Sequence, residues 1–266
     1  MPIETAQVSA RPNHATVRQF VIDEGVESGQ VEPRTARAFL ILPWVGAVIV
    51  AVTNLYRPLY RALTAEDRLF EWVQVLFLVV AGVLAMRAAM LLWKRGEPLT
   101  ALLWAVFALG CVAIFGEEVA WGQRIIHFAT PETIEDVNTQ ASTTVHNLQG
   151  AGIKAIDLFN ACFLLVGIYA SVGAALIRWR SRERRTRLVD LLAPPLHLAS
   201  LFFLVVVYKT ARFTLFRAPR RSYVTYGEYI ELALAIALAA FAWAVVRRLT
   251  RARAEAGHAP VLSPDS

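Results

Sequence analysis

The sequence predicts an all-α polytopic membrane protein, a transmembrane helical bundle of about six spans. Three observations carry this. Of the 266 residues, 56% are hydrophobic and only 18% charged, against about 45–50% and 25% in soluble domains. A soluble core has no room for that excess, whereas lipid does. The apolar residues gather into six runs, each near the roughly 17–25 residues a helix needs to cross a bilayer. Basic residues cluster beside these runs, where membrane proteins carry their topology signals.

The elements follow in order. Residues 1–37 form a polar N-tail with Asp23, Glu24, Glu27 and Glu32. It has no basic stretch leading at once into an apolar core, so it does not read as a cleavable signal, and the first span acts as the targeting signal. A membrane domain covers 38–249, with spans at about 38–56, 70–93, 100–121, 155–177, 188–208 and 229–246. Only helices satisfy the backbone of such runs without water. Pro43 falls within the first span. Pro194 and Pro195 fall early in the fifth and distort its first turns. Most connections are short. The exception is 122–154, where Thr130-Pro131 reads as the cap and first turn of a short helix, and Gly150 and Gly152 loosen the chain. A loop of this length is functional or disordered, and its Trp, His and amide content favours order. Residues 250–266 read as a disordered tail.

Cys111 and Cys162 lie inside spans and read as apolar thiols, not as a disulfide framework or a metal motif. The net charge of +6 sits in clusters beside spans. It points to membrane lipids as partners, not to nucleic acid. With the N-terminus cytoplasmic, that side carries 17 of the Lys and Arg residues and the opposite side 10. The expected location is therefore the cell inner membrane, multi-pass, with both termini cytoplasmic. The basic stretch 209–221 is discordant, since it falls outside.

The polar residues of the spans converge on one end. Glu71 opens the second span, Glu117 and Glu118 close the third, Asp157 opens the fourth, and Glu228 and Glu231 open the sixth. Lys209 closes the fifth, and Asn54 nearly closes the first. A charge inside a span is costly, by roughly 2.5–3.5 kcal/mol at its centre, so such groups pair or face a polar cavity. For Glu71, Asp157 and Glu228, at helix starts, the plain reading is a solvated carboxylate favoured by the helix dipole.

The densest polar text is Gly116-Glu117-Glu118-Val119-Ala120-Trp121-Gly122-Gln123-Arg124, followed by His127. On a continuing helix Glu117, Trp121 and Arg124 share one face, Gln123 and His127 form a neighbouring pair, and Glu118 points towards Gly122 and Ile125. A second block, Asn138-Thr139-Gln140 and Val145-His146-Asn147, adds two amides and an imidazole on a loop that must fold back over the third span. Together these residues resemble a group of bacterial polytopic membrane proteins with the pattern E-E-x-x-W-G-Q-R, then N-x-Q, then H-N. The resemblance covers 117–147 and implies a shared site without naming a reaction. Members often carry an acid two places after the Gln, where this chain has Ser142.

His146 is the general-base candidate, oriented by Asn147 and a nearby glutamate. Three functions stay open. The first is a membrane-embedded hydrolase or transferase acting on a lipid or lipid-linked substrate. In it His146 and Glu118 handle protons, Arg124 and Gln123 stabilise negative charge, and Glu117 and Trp121 fix the geometry. His127, Asn138, Gln140, Asn147 and Glu231 complete its substrate-binding set. The second is a transporter or binding protein with the carboxylates as a proton or cation relay. The third is an assembly partner. Arg217, Arg220 and Arg221 are candidates for holding an anionic head group. The chain has no G-x-S-x-G, P-loop or dinucleotide fingerprint. No ligand spacing is diagnostic of a metal, and neither cofactor nor oligomeric state is legible.

Topology is directly testable. Single cysteines at Ser142 and Ser263, in a chain lacking Cys111 and Cys162, are expected to react with an impermeant thiol reagent from opposite sides. Labelling of both from one side overturns the orientation.

Overall fold

The computed structural model describes residues 14–65, 68–131, 133, 143–145, 155–182, 186–214 and 221–257. Six helical segments are long and apolar enough to cross a membrane: Pro33–Thr53, Arg57–Trp93, Pro98–Glu118, Ile156–Arg180, Arg187–Thr214 and Thr225–Arg251. The chain is a multi-pass, all-α membrane protein, as its composition predicts.

A first helix, α1 (His14–Gly29), precedes the first span, α2 (Pro33–Thr53). Proline opens α2, where a missing N–H is no loss. A short helix, α3 (Arg57–Thr64), leads into the second span, α4 (Leu69–Trp93), and α5 (Pro98–Glu118) forms the third. Beyond it lies the four-residue α6 (Gln123–Ile126). The fourth span is α7 (Ala155–Ile168), a π-helical turn over Tyr169–Gly173, and α8 (Ala174–Arg180). The fifth is α9 (Arg187–Leu192), a break, a 3-10 turn at Leu196–Leu198, and α10 (Ala199–Thr214). The sixth, α11 (Arg221–Gly257), continues well past its expected end and into the stretch read as tail.

The spans pack in the order three, two, six, five, four, and the first lies against the fifth and sixth. The fifth and sixth are accordingly the most enclosed. Packing follows three-four spacing. The buried residues of α4 are Glu71, Gln74, Leu78, Ala81, Ala85, Ala88, Ala89 and Leu92, which is one heptad seam along the helix. In α5 the seam runs through Ala101, Trp104, Ala108 and Cys111. Alanines dominate because small side chains let helices approach closely where lipid supplies no hydrophobic drive. Ala237 and Ala242 of α11 are fully buried, as are Ala81, Ala85 and Ala88 of α4.

The fifth span shows how the membrane handles a broken helix. Pro194 and Pro195 interrupt it and leave backbone groups without helical partners. Arg178, 4% exposed, supplies donors: its Nε reaches the Pro194 carbonyl at 2.8 Å and its Nη2 the Ala193 carbonyl at 2.5 Å. The same guanidinium pairs with Glu24 at 2.5 Å and Asp190 at 3.2 Å. Glu24 in turn accepts the Leu196 N–H at 2.8 Å. Glu24 belongs to α1, so the segment read as a polar tail is docked: Ile22, Glu24 and Ser28 are buried. A Cβ at Gly25 or Gly29 would lie 2.8 and 2.2 Å from the His197 side chain, so only glycine lets α1 seat on the turn. His197 is a packed residue, edge-on to Phe39 at 5.6 Å.

The close packing of α4 on α11 predicts that Ala85→Leu destabilises the protein by about 1–3 kcal/mol. Val83→Leu, at a position 64% exposed and apolar, is expected to be silent. Thermal unfolding of the purified chain in detergent distinguishes them.

Candidate functional site

The site forms where the seams end. α5 stops at Glu118, and the chain then reverses. Ala120 and Trp121 have φ of 46° and 51°, and Gly122 has 94°. Two non-glycine residues in the left-handed region cost about 1–2 kcal/mol each, a strain that clusters at functional segments. The reversal corrects the expectation of a helix continuing through Arg124. Its physical basis is local. Gly116 leaves room on α5 for the Trp121 ring, which a Cβ there would approach to 2.9 Å. The folded-back indole Nε1 then donates to Glu117 at 2.7 Å.

The predicted face therefore splits. Glu117 and Trp121 stay together, with Glu117 buried. Arg124 instead crosses to the second span and pairs with Glu71. Glu71 is buried, so it is not the solvated interfacial carboxylate expected at a helix start; its place on the α4 seam decides this. Glu118 points into the bundle and not towards Gly122 and Ile125. It is hydrogen-bonded to Gln74 and lies within electrostatic reach of Glu231, Glu71 and Arg124.

From Glu231 the polar chain continues into spans five and four. Lys209 Nζ donates to Glu231 at 2.8 Å and to Asn160 at 2.7 Å, with the Phe163 ring centroid 5.1 Å away. Lys209 is 2% exposed. It belongs to this network, in keeping with its place among the polar residues that converge on this end of the spans. One polar line thus joins Arg124, Glu71, Gln74, Glu118, Glu231, Lys209 and Asn160, drawn from five spans and the turn after α5. Gln74 and Asn160 were not singled out by sequence reasoning. Their signal was phase: Gln74 is three residues from Glu71 on the apolar stripe, and Asn160 occupies the buried side of a span.

Gln123 acts as a staple. Its Nε2 donates to Thr130 at 2.8 Å and its Oε1 accepts the Thr143 N–H at 3.0 Å. The Thr143 hydroxyl donates to the Ala120 carbonyl. The long connection therefore does return over the end of span three. The expected Gln123–His127 side-chain pair gives way to this staple, and His127 ends α6 exposed, with φ of 58°. Asp157 and Asn54 are exposed. Asn138, Gln140, His146, Asn147, Arg217 and Arg220 lie outside the described residues, as does the Arg221 side chain.

The charges of this cluster do not balance among the described residues. Four carboxylates, Glu71, Glu117, Glu118 and Glu231, meet two cations, Arg124 and Lys209. No three His, Cys, Asp or Glu side chains among the described residues stand close enough to share a metal ion. The Gln74 Oε1 atom, fully buried, has no hydrogen-bond partner, which leaves one acceptor beside Glu118 open to a donor. Comparison with protein families, curated proteins and solved structures finds no match to this chain.

Removing one partner of a buried ion pair costs about 3–5 kcal/mol. Lys209→Met is expected to destabilise by that amount. Combining it with Glu231→Gln should cost clearly less than the sum of the single changes, by at least about 1 kcal/mol. Additive effects in unfolding measurements would show that the two residues do not interact.

Proposed function

We propose that the protein is a membrane-embedded enzyme of the cytoplasmic membrane. It acts on a lipid or lipid-linked substrate by hydrolysis or group transfer, at the non-cytoplasmic ends of its spans. The observation that carries this reading is the placement of Glu118. It sits between two carboxylates, Glu71 and Glu231, that each hold a cation of their own. A carboxyl group without a dedicated cation, in a low-dielectric seam, is suited to exchanging a proton with a reacting group. In this reading Glu118 handles the proton with His146, which follows directly on the returned segment 143–145. Arg124, anchored by Glu71, faces developing negative charge. Glu117 and Trp121 hold the turn, and Gln123 holds the loop. Asn138, Gln140, Asn147 and His127 are proposed to meet the substrate. Arg217, Arg220 and Arg221 are proposed to meet an anionic head group.

The relay alternative needs a polar path through the bundle. Between Glu231 and Arg247 the sequence of α11, residues 232–246, has no charged, amide or hydroxyl side chain. At 1.5 Å per residue this is an apolar layer of roughly 23 Å. The facing part of α10, residues 201–207, is equally apolar. That layer favours chemistry at one interface over passage from one side to the other.

The test is a lipid profile of the source organism lacking the protein. Loss of the chain is expected to change at least one lipid or lipid-linked species, and the wild-type chain to restore it. Glu118→Gln should accumulate in the membrane at the wild-type level yet fail to restore the profile. Full restoration by Glu118→Gln removes Glu118 from the chemistry, and an unchanged profile in the deletion overturns the lipid assignment.

A further inference from the structure

The third span shows where its lipid face lies. Leu102, Val106, Leu109 and Ala113 follow one another at four- and three-residue spacing along α5, and all are exposed. They form one stripe, opposite the seam of Ala101, Trp104, Ala108 and Cys111. The next place on the stripe is Gly116, with Glu117 beside it, and both are buried. What lies on Gly116 is the Trp121 ring, whose atoms a Cβ there would meet at 2.9–3.0 Å. The reversal after Glu118 therefore brings the chain back over the lipid side of the span. Its level follows from the length of α5. Pro98–Glu118 has 21 residues, about 32 Å at 1.5 Å per residue, close to the roughly 30 Å of bilayer hydrocarbon. Gly116, two residues before the end of α5, then stands just inside the hydrocarbon boundary, and the indole stands with it. Trp72, near the start of α4 and exposed, places a second indole close to a span end on this side. Indoles gather at this boundary.

The segment that follows is inverted relative to a loop in water. Its polar side chains turn to the protein: Gln123 holds Thr130 and Thr143, and Arg124 pairs with Glu71. Its apolar side chains turn away: Ile125 is 55% exposed and Ile126 74%, and Phe128 is exposed as well. With the half-exposed Trp121 they make a run of apolar surface, and such runs mark interaction sites. The backbone is bonded to match. The Gly122 N–H reaches the Val119 carbonyl at 3.0 Å, the Gln123 N–H the Ala120 carbonyl, and the His127 N–H the Gln123 carbonyl at 2.8 Å. A backbone out of water needs internal partners of this kind. His127 is the one polar side chain of the segment left exposed. At the boundary an imidazole can keep its ring against lipid and its nitrogens in the head-group layer.

We propose that residues 121–128 form a turn seated in the membrane, whose partner is the bilayer itself. Trp121, Ile125, Ile126 and Phe128 lie among acyl chains at the edge of the leaflet, continuous with the lipid face of the third span. Arg124, held on the inner side of the turn, then stands level with lipid and not in open water. The inference goes beyond the reaction proposed at Glu118 and does not rest on it.

The test is electron paramagnetic resonance of a nitroxide attached at Ile126→Cys. The full-length chain, lacking Cys111 and Cys162, is held in phosphatidylcholine nanodiscs. Molecular oxygen concentrates among acyl chains, whereas a polar nickel chelate stays in water. Oxygen is expected to relax the label at least about threefold more strongly than the chelate does, because hydrocarbon excludes polar solutes. A label at Ala113→Cys, on the exposed stripe of α5, supplies the value for the lipid face. If Ile126→Cys does not fold, Ile125→Cys takes its place. Stronger relaxation by the chelate puts the turn in water and overturns the proposal. Weak relaxation by both reagents puts the patch beneath protein, whether the rest of the 122–154 connection or another chain, and overturns it as well.

Discussion

Hydrocarbon offers no hydrogen bonds, so a polar group within a span must find its partner inside the protein. Much of this structure is arranged by that constraint. Polar residues of the spans occupy seam positions, in phase with the alanines and leucines that hold the helices together. Glu71 and Gln74 lie on the seam of α4, and Arg178 and Lys209 are buried on the fourth and fifth spans. A side chain placed one residue off its seam would face lipid. Each of these groups therefore fixes the rotation of its helix as well as supplying a charge.

The two ends of the bundle meet the constraint differently. At the end bearing α1, Arg178 and Arg248 meet Glu24 and Asp190. Among these described residues cations and carboxylates are equal in number, and the remaining donors go to carbonyls at the proline break and to the Ser28 carbonyl of α1. This is a lock: it seats α1, joins spans four, five and six, and leaves little for chemistry. At the other end carboxylates outnumber cations among the described residues of the cluster, and the backbone leaving α5 is left-handed at two non-glycine residues. Strain of this kind is seldom kept where stability alone decides, which is why the site is proposed at that end.

Much of this was legible in the chain. Glu117, Glu118, Arg124 and Glu231 stood out because charge in an apolar run is rare and costly, and the structure does bring Glu118, Arg124 and Glu231 to one cluster. Gln74 and Asn160 did not stand out, since an amide carries no charge to draw notice. Their in-phase spacing was the available signal. Glu71 was assigned to water because a residue at the end of a span has both water and the bundle within reach. Linear order cannot tell an inward rotation from an outward one at such a position. The turn at Ala120–Gly122 was hidden for another reason. Helix propensity around it is unremarkable, and the reversal depends on an indole that finds room only against Gly116.

What the sequence determined by itself was the class of solution. Six apolar runs compel six helices, because every backbone polar group must be satisfied locally, and that requirement can be read one segment at a time. What only the tertiary structure decided was partnership. Arg124 with Glu71, Lys209 with Glu231 and Asn160, and Arg178 with Glu24 join residues distant in the chain. Their pairing is set by which helices adjoin and by how each is rotated. Neighbours and rotations follow from the fit of whole seams, a property that no single segment carries.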